Sequence, residues 1–236
     1  MLTPKKMKKM FNEGRLRAAA KNGDTKAIQS LVGQGVDPGA KTELGDTPLI
    51  NAARKGHESA VRLLLEKGAD INAGQETGKT ALTCAAQAGH AGTVRLLLGF
   101  GANPSPTGPG SYDTTSALAE AVRSNHPDIV ALLLDGGADP DAKTGQHETP
   151  LMIAAVQGFS DIVRLLIKKG ADIHAENYHG QGAAYMAEQA GCRNIAEILR
   201  QEAAAERAAR RAVHAPPPSS PPPPAEQGRK EKGFRL

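Results

Sequence analysis

The stretch that decides the fold runs from Gly45 to Asp70 and reads GDTPLINAARKGHESAVRLLLEKGAD. Thr47 is a good helix N-cap, because its hydroxyl can accept a hydrogen bond from a free backbone N–H. Pro48 suits the first helical position, where its missing N–H has no partner to lose. Gly56 can end this short helix in a left-handed conformation. The first half of the stretch therefore predicts a capped helix of about two turns.

The second half of the stretch predicts another helix. Val61, Leu64 and Leu65 have the i, i+3, i+4 spacing of one buried apolar stripe. Gly68 ends this helix, and Asp70 begins an extended loop toward the next segment of the chain. A unit of helix, turn, helix and loop cannot bury its apolar stripe alone, so such units must stack.

The same unit recurs along the chain. A Gly-Ala-Asp or Gly-Ala-Asn marker repeats in steps of 33, 36 and 33 residues, beginning at Gly68, Gly101, Gly137 and Gly170. A second marker keeps the same phase, beginning at Thr47, Thr80, Ser116 and Thr149. Two independent markers with one period indicate a repeat architecture. The three extra residues of the longer step fall in Ser105–Gly110, a hairpin tip that is either a partner contact or a neutral insertion.

The combination Gly45-Asp46-Thr47-Pro48-Leu49, Ala52-Ala53, Gly56-His57 and Gly68-Ala69-Asp70 resembles the ankyrin repeat over residues 12–203. The resemblance implies an all-α repeat solenoid of stacked helix-turn-helix units with hairpin loops. We expect an N-terminal cap over 12–41, followed by repeats over 42–74, 75–110, 111–143, 144–176 and 177–203. The sequence departs from the family pattern where histidine usually follows Thr-Pro-Leu, since that place holds Ile50, Thr83, Ala119, Met152 and Tyr185.

Basic residues concentrate at the two ends. Residues 1–17 carry a formal charge of +5 and residues 200–236 carry +4, whereas the part between them carries −5. We interpret 1–11 as a basic N-terminal segment, 204–215 as an Ala/Arg-rich helical extension and 216–236 as a Pro-rich, basic, disordered tail. The tail is either a ligand for an aromatic groove or a stiff linker.

No signal-peptide core follows the basic start, because residues 12–15 interrupt it with polar side chains. No stretch approaches the ~20 apolar residues of a membrane span. We therefore expect a cytoplasmic protein. Export without a cleavable signal peptide is the alternative.

The residue types that could suggest reaction chemistry do not form a recognisable catalytic motif. Three histidines repeat at one phase, which explains them without a metal site: His57, His90 and His126. Cys84 and Cys192 lie three repeats apart, on the order of 25–30 Å, too far for a disulfide. The run Gly74–Thr80 resembles a phosphate loop but has the wrong glycine spacing. We expect no catalytic residues, no metal and no cofactor.

The resemblance places partner binding on the hairpin fingers and the exposed side of the first helices. Carried over by position, the candidate partner-binding residues are Glu43, Leu44, Asp46, Arg54, Lys55, Glu76, Lys79, Gln87, Tyr112, Asp113, Arg123, Gln146, Glu148, Val156, Gln157, Tyr178, His179 and Gln189. Among them Tyr112, Tyr178 and Arg123 are the first to test, because Tyr and Arg are enriched at binding hot spots.

The mixed charge of these positions favours a protein partner over nucleic acid, which would need a basic stripe. We expect a monomeric interaction scaffold that serves as an adaptor, regulator or inhibitor. The alternative is tethering to nucleic acid or an anionic membrane through the basic termini.

Overall fold

The computed structural model describes residues 3–105 and 116–213, and it arranges them as six helix pairs stacked in chain order. The first helix of each pair packs on the first helix of the next, and the second helices follow more loosely. Within those ranges the only extended pairing is an isolated bridge between Glu176 and Gly182. The helices are α1 Pro4–Asn22, α2 Thr25–Gly33, α3 Pro48–Arg54, α4 Glu58–Glu66, α5 Ala81–Gln87, α6 Ala91–Gly99, α7 Ala117–Arg123, α8 Pro127–Asp135, α9 Pro150–Gln157, α10 Ser160–Lys168, α11 Ala183–Gln189 and α12 Arg193–Val213.

The predicted helix starts are confirmed. The Thr47 hydroxyl accepts from the backbone N–H of Ile50 at 3.1 Å, and the cap residues of α5, α7 and α9 make the same bond. Thr83 stands where the family usually has histidine, and its hydroxyl accepts from the Thr80 N–H at 2.7 Å. A hydroxyl thus takes over part of the capping at this one repeat.

The hydrophobic core is one continuous cluster that extends from Leu16 to Leu199. Alanines such as Ala52 and Ala53 line the first helices and are fully buried, which lets neighbouring units approach closely. The second helices contribute fully buried side chains such as Leu64, each worth about 1.5–3 kcal/mol. Leu65, expected in the same stripe, is only half-buried, because the stripe is centred on Ala60, Val61 and Leu64.

The loops that follow the second helices are joined by side-chain hydrogen bonds between repeats. The Asn103 N–H donates to Asn72 Oδ1 at 2.9 Å, and the Asp172 N–H donates to Asp141 Oδ1 at 2.9 Å. Burial raises the pKa of the Asp141 carboxyl; the Asp172 N–H opposes that shift, and the nearby Asp139 and Asp172 carboxylates add to it. The loops therefore hold the stack together through backbone N–H groups that would otherwise need water.

Both ends of the described stack are long helices. α1 begins at Pro4, with Thr3 as its N-cap, so it crosses the boundary expected after residue 11. α12 continues to Val213 and passes through most of the predicted Ala/Arg-rich extension. The Pro-rich tail and nearly all of the Ser105–Gly110 insertion lie outside the described residues. The division into segments and repeats stays a prediction.

Candidate functional site

The candidate surface consists of hairpin tips and the exposed side of the first helices that follow them. We call it the finger face, made of tips 42–46, 75–79, 144–148 and 177–181 with α3, α5, α7, α9 and α11. Each tip is closed by the same hydrogen bond between its first and fifth residues, at 3.0 Å for Thr42 and Asp46. The framework thus holds successive tips in equivalent positions while their side chains differ.

The N-terminal half of the finger face is a polar network. Asp46 Oδ1 accepts from Gln75 Nε2 at 2.6 Å and pairs with Arg54 at 3.2 Å. The Arg54 guanidinium also reaches Cys84 Sγ at 3.8 Å. Burial raises the pKa of the Cys84 thiol, and the Arg54 charge offsets only part of that rise. The network joins two tips to α3 and α5, so Arg54 and Asp46 hold each other in place.

The middle of the face carries two further polar contacts. Lys79 on the second tip donates to Gln87 at the end of α5 at 3.1 Å. Arg123 lies 3.5 Å from Glu120, one turn earlier on α7, and the Glu120 side chain is almost fully buried. A buried carboxylate normally needs a cation beside it, so Arg123 neutralises Glu120 as well as lying toward solvent.

The C-terminal half of the face contributes exposed apolar and aromatic side chains among polar ones. Tyr178 is 66% exposed, and its ring stacks on His147 from the preceding tip with centroids 3.6 Å apart. Val156, at the end of α9, is 38% exposed, although the equivalent places in earlier repeats hold Arg54 and Arg123. Exposed apolar and aromatic side chains held on a rigid frame are features of protein-binding hot spots.

The described candidate residues all lie at the surface or half-buried at its edge. Exposed are Glu43, Leu44, Lys55, Glu76, Gln87, Gln146, Val156, Gln157, Tyr178, His179 and Gln189; half-buried are Asp46, Arg54, Lys79, Arg123 and Glu148. Tyr112 and Asp113 lie outside the described residues. The structure therefore brings Tyr178 and Val156 onto one half of the finger face and Arg54 and Asp46 onto the other. Their role in binding stays a prediction.

Three residues of this surface were missed in the sequence. His147 occupies the tip place that holds glycine in the other described fingers, and its φ of 58° is left-handed. Glu120 lies one turn before Arg123, where an i, i+3 pair is expected on a helix. Tyr185 is 50% exposed, whereas Met152 at the same place one repeat earlier is buried. The missing glycine at 147 was a readable signal, but the exposure of Tyr185 depends on its place in the last pair.

The clefts of the described stack are open rather than enclosed. One cleft of about 510 Å³ lies between α1 and the first tip, lined by Met10, Arg17, Lys41 and Leu44 among others. Another, of about 690 Å³, lies away from the finger face, between the lysines of α1 and residues 34–37. Within residues 3–105 and 116–213, no three His, Cys, Asp or Glu side chains gather closely enough to hold a metal ion.

Comparison with known proteins agrees with this geometry. A family model described as ankyrin repeats, in three copies, matches residues 16–108 and 118–208, well over half of the chain. No curated protein was found that matches the chain. None of the helices in the described ranges is both long enough and apolar enough to span a bilayer.

Proposed function

The chain belongs to the ankyrin-repeat family, and from that premise we propose that it is a protein-interaction scaffold that binds its partner through the finger face. Ankyrin repeats are generic protein–protein interaction modules, and the family is typically a non-enzymatic scaffold. We propose further that the bound state regulates, inhibits or tethers one protein partner, and that the chain acts as a monomer without catalysis.

The observation that carries the proposal is that the finger face exposes apolar and aromatic side chains, including Val156 and Tyr178, beside charged groups held in fixed positions. The half around Val156 and Tyr178 offers exposed apolar and aromatic surface that gains free energy when a partner covers it. The half around Arg54 and Asp46 offers charged groups already held in position by each other. We propose that the first half supplies affinity and the second supplies orientation and selectivity.

The spread of the proposed binding residues over several repeats supports a partner that spans several fingers. Tyr178, Val156 and Arg54 belong to different repeats but share the same face. A rigid frame loses little conformational entropy on binding, so few anchors suffice for useful affinity. The two free cysteines, one buried and one half-buried, suit a reducing compartment, and we propose the cytoplasm as the place of action.

The experiment compares substitutions of two exposed aromatic residues, one on the finger face and one outside it. Tyr178→Ser removes the proposed anchor, whereas Phe100→Ser removes an exposed aromatic side chain at the end of α6. Proteins captured from native lysate by the full chain are quantified for both variants. The candidate partner is the protein that the unmodified chain captures most strongly, chosen before the two variants are compared.

The captured candidate is then purified and its Kd is measured. We expect Tyr178→Ser to weaken binding by at least about tenfold, the effect of a hot-spot residue, with Phe100→Ser within about twofold of the unmodified chain. Equal affinity for Tyr178→Ser and the unmodified chain, with both folded by circular dichroism, contradicts the proposed face. Equal loss in both variants also contradicts it.

A further inference from the structure

The first three turns of α1 carry an apolar stripe that stays at least half exposed in the described stack. Met7, Met10 and Phe11 are 52%, 51% and 68% exposed. They have the i, i+3, i+4 spacing that places side chains on one side of a helix. The residues of α1 that do pack on the stack are Leu16, Ala19 and Ala20.

Most of the exposed stripe is turned away from the stack, and only Met10, at its edge, also borders the cleft beside Leu44. At about 100° per residue, Met7, Met10 and Phe11 fall within an arc of about 100°, and the centre of the buried arc lies nearly opposite. The stripe is therefore not a core-facing side of α1 left exposed by a missing neighbour. It is a second apolar side on a helix that already has one buried side.

Basic side chains border this stripe. Lys6 and Lys8 fall on its two sides, Lys5 and Lys9 lie behind it, and all four are exposed. Lys9 pairs with Glu13 at 3.7 Å, which leaves three of the lysines outside any ion pair among residues 3–105 and 116–213. The start of α1 is thus an amphipathic helix with an apolar centre and a cationic border.

We propose that the start of α1, Pro4–Arg15, docks on an anionic lipid surface. Helices with lysines on the polar side and bulky apolar side chains on the other lie in the headgroup region, where lysine stems extend toward lipid phosphates. Each lysine near an anionic surface strengthens binding by about fivefold. The helix is formed by the chain itself, with Thr3 as N-cap and Pro4 at its first position, so membrane contact does not have to create it.

Two other occupants fit less well. Nucleic acid is bound by lysines that face it, whereas here the side turned furthest from the stack is apolar. A protein groove that takes an amphipathic helix usually receives anchors at i, i+3 or i+4, and i+7. The place seven residues after Met7 is Gly14, which has no side chain to insert. Shallow burial at a lipid interface needs no such continuation.

The charge arm of the test compares two variants of equal net charge. One changes Lys5, Lys6, Lys8 and Lys9 to Gln, and the other changes four exposed lysines elsewhere, Lys21, Lys26, Lys67 and Lys168, to Gln. Flotation uses the full chain with vesicles of phosphatidylcholine, either alone or with about 30 mol% phosphatidylserine. We expect binding only to the anionic vesicles, at least about tenfold weaker for the first variant and within about twofold for the second.

The apolar arm uses the fact that the chain has no tryptophan. Phe11→Trp places a single reporter on the stripe, and Phe100→Trp places one on an exposed aromatic position of α6. We expect anionic vesicles to shift the emission of Phe11→Trp to shorter wavelength and to leave Phe100→Trp unchanged. Circular dichroism confirms that each variant keeps its helix content.

Several outcomes overturn the proposal. They are the absence of a preference for anionic vesicles, equal losses in the two lysine variants, or an unshifted Phe11→Trp emission. A labelled DNA duplex is tested in parallel. Binding to the duplex that depends on the four lysines, without binding to vesicles, assigns the helix to nucleic acid instead. The finger face is not involved in any of these measurements, so failure here leaves the proposed scaffold function standing.

Discussion

The imidazole ring of His147 stacks on the phenol ring of Tyr178, with centroids 3.6 Å apart and planes inclined by 28°. The contact joins two successive finger tips. His147 adopts a φ of 58° there, a left-handed conformation that costs a non-glycine residue about 1–2 kcal/mol. The ring stack returns about 0.5–1.5 kcal/mol. The two effects nearly cancel, so the stack orients Tyr178 without adding much net stability.

A double-mutant cycle tests this balance. We expect His147→Gly alone to change the free energy of unfolding by less than about 1 kcal/mol, because strain and stacking are lost together. Combined with Tyr178→Ala, the two changes should show a coupling of about 0.5–1.5 kcal/mol in urea titrations. His179→Ala replaces Tyr178→Ala in the control cycle and should be additive with His147→Gly. Additivity in both cycles contradicts a stabilising stack.

Two left-handed glycines have different surroundings and should differ in cost. A Cβ added to Gly56 would lie 2.7 Å from His90 Nδ1, whereas one added to Gly68 has nothing within 4 Å. Both have positive φ, at 72° and 87°. Gly68→Ala should therefore lower the free energy of unfolding by about 1 kcal/mol, the conformational cost alone.

Gly56→Ala should cost more, about 2–3 kcal/mol, because the His90 ring must also move. Thermal or urea unfolding of both variants measures the difference. The matched test repeats Gly56→Ala in a His90→Ala background, where its cost should fall to that of Gly68→Ala. An undiminished cost in that background shows that the ring is not the obstacle.

The fold was readable from the sequence because its markers act locally. Thr47 and Gly56 determine where a helix begins and ends through bonds to residues three or four places away. The start of α1 carries the same signal, since Thr3 and Pro4 repeat the pair seen at Thr47 and Pro48. The basic composition of residues 1–11 obscured this pair and favoured a separate segment instead.

The candidate site was readable only in part, since side-chain contacts between repeats depend on the stacked geometry. His147 and Tyr178 are 31 residues apart, and no local pattern predicts that their rings meet. Val156 was selected by its place in the repeat, but its exposure beside an aromatic tip follows from packing. Glu120 was missed because a charged residue in an alanine-rich helix suggests a solvent-facing position, whereas this one is buried.

The two thiols should react at very different rates. Cys84 is buried, and burial raises the pKa of its thiol, so little reactive thiolate is present or accessible. Cys192 is half-buried and reaches solvent. We expect Cys192 to react with a thiol reagent first at pH 8, and Cys84 to react on the order of a hundredfold more slowly until urea unfolds the chain. Single-cysteine variants Cys84→Ala and Cys192→Ala assign the two phases, and comparable rates contradict the packing of Cys84.

Asp141→Asn should stabilise the chain at neutral pH. Desolvation raises the pKa of the Asp141 carboxyl above its usual 3.8, so the native state binds its proton more tightly than the unfolded state does. Stability is therefore lost as pH rises from about 3.8 through the folded pKa, and it stays lower above that pKa.

Asn keeps the acceptor for the Asp172 N–H, as Asn72 does for Asn103, and removes the charge. We expect Asp141→Asn to be more stable than the unmodified chain at pH 7, by a small amount because solvent screens this half-buried carboxyl, and the gain to disappear as the pH falls below about 3.8, measured by urea unfolding across pH. A gain for Asp141→Asn that stays constant from pH 3.5 to 7 would place its origin outside this titration.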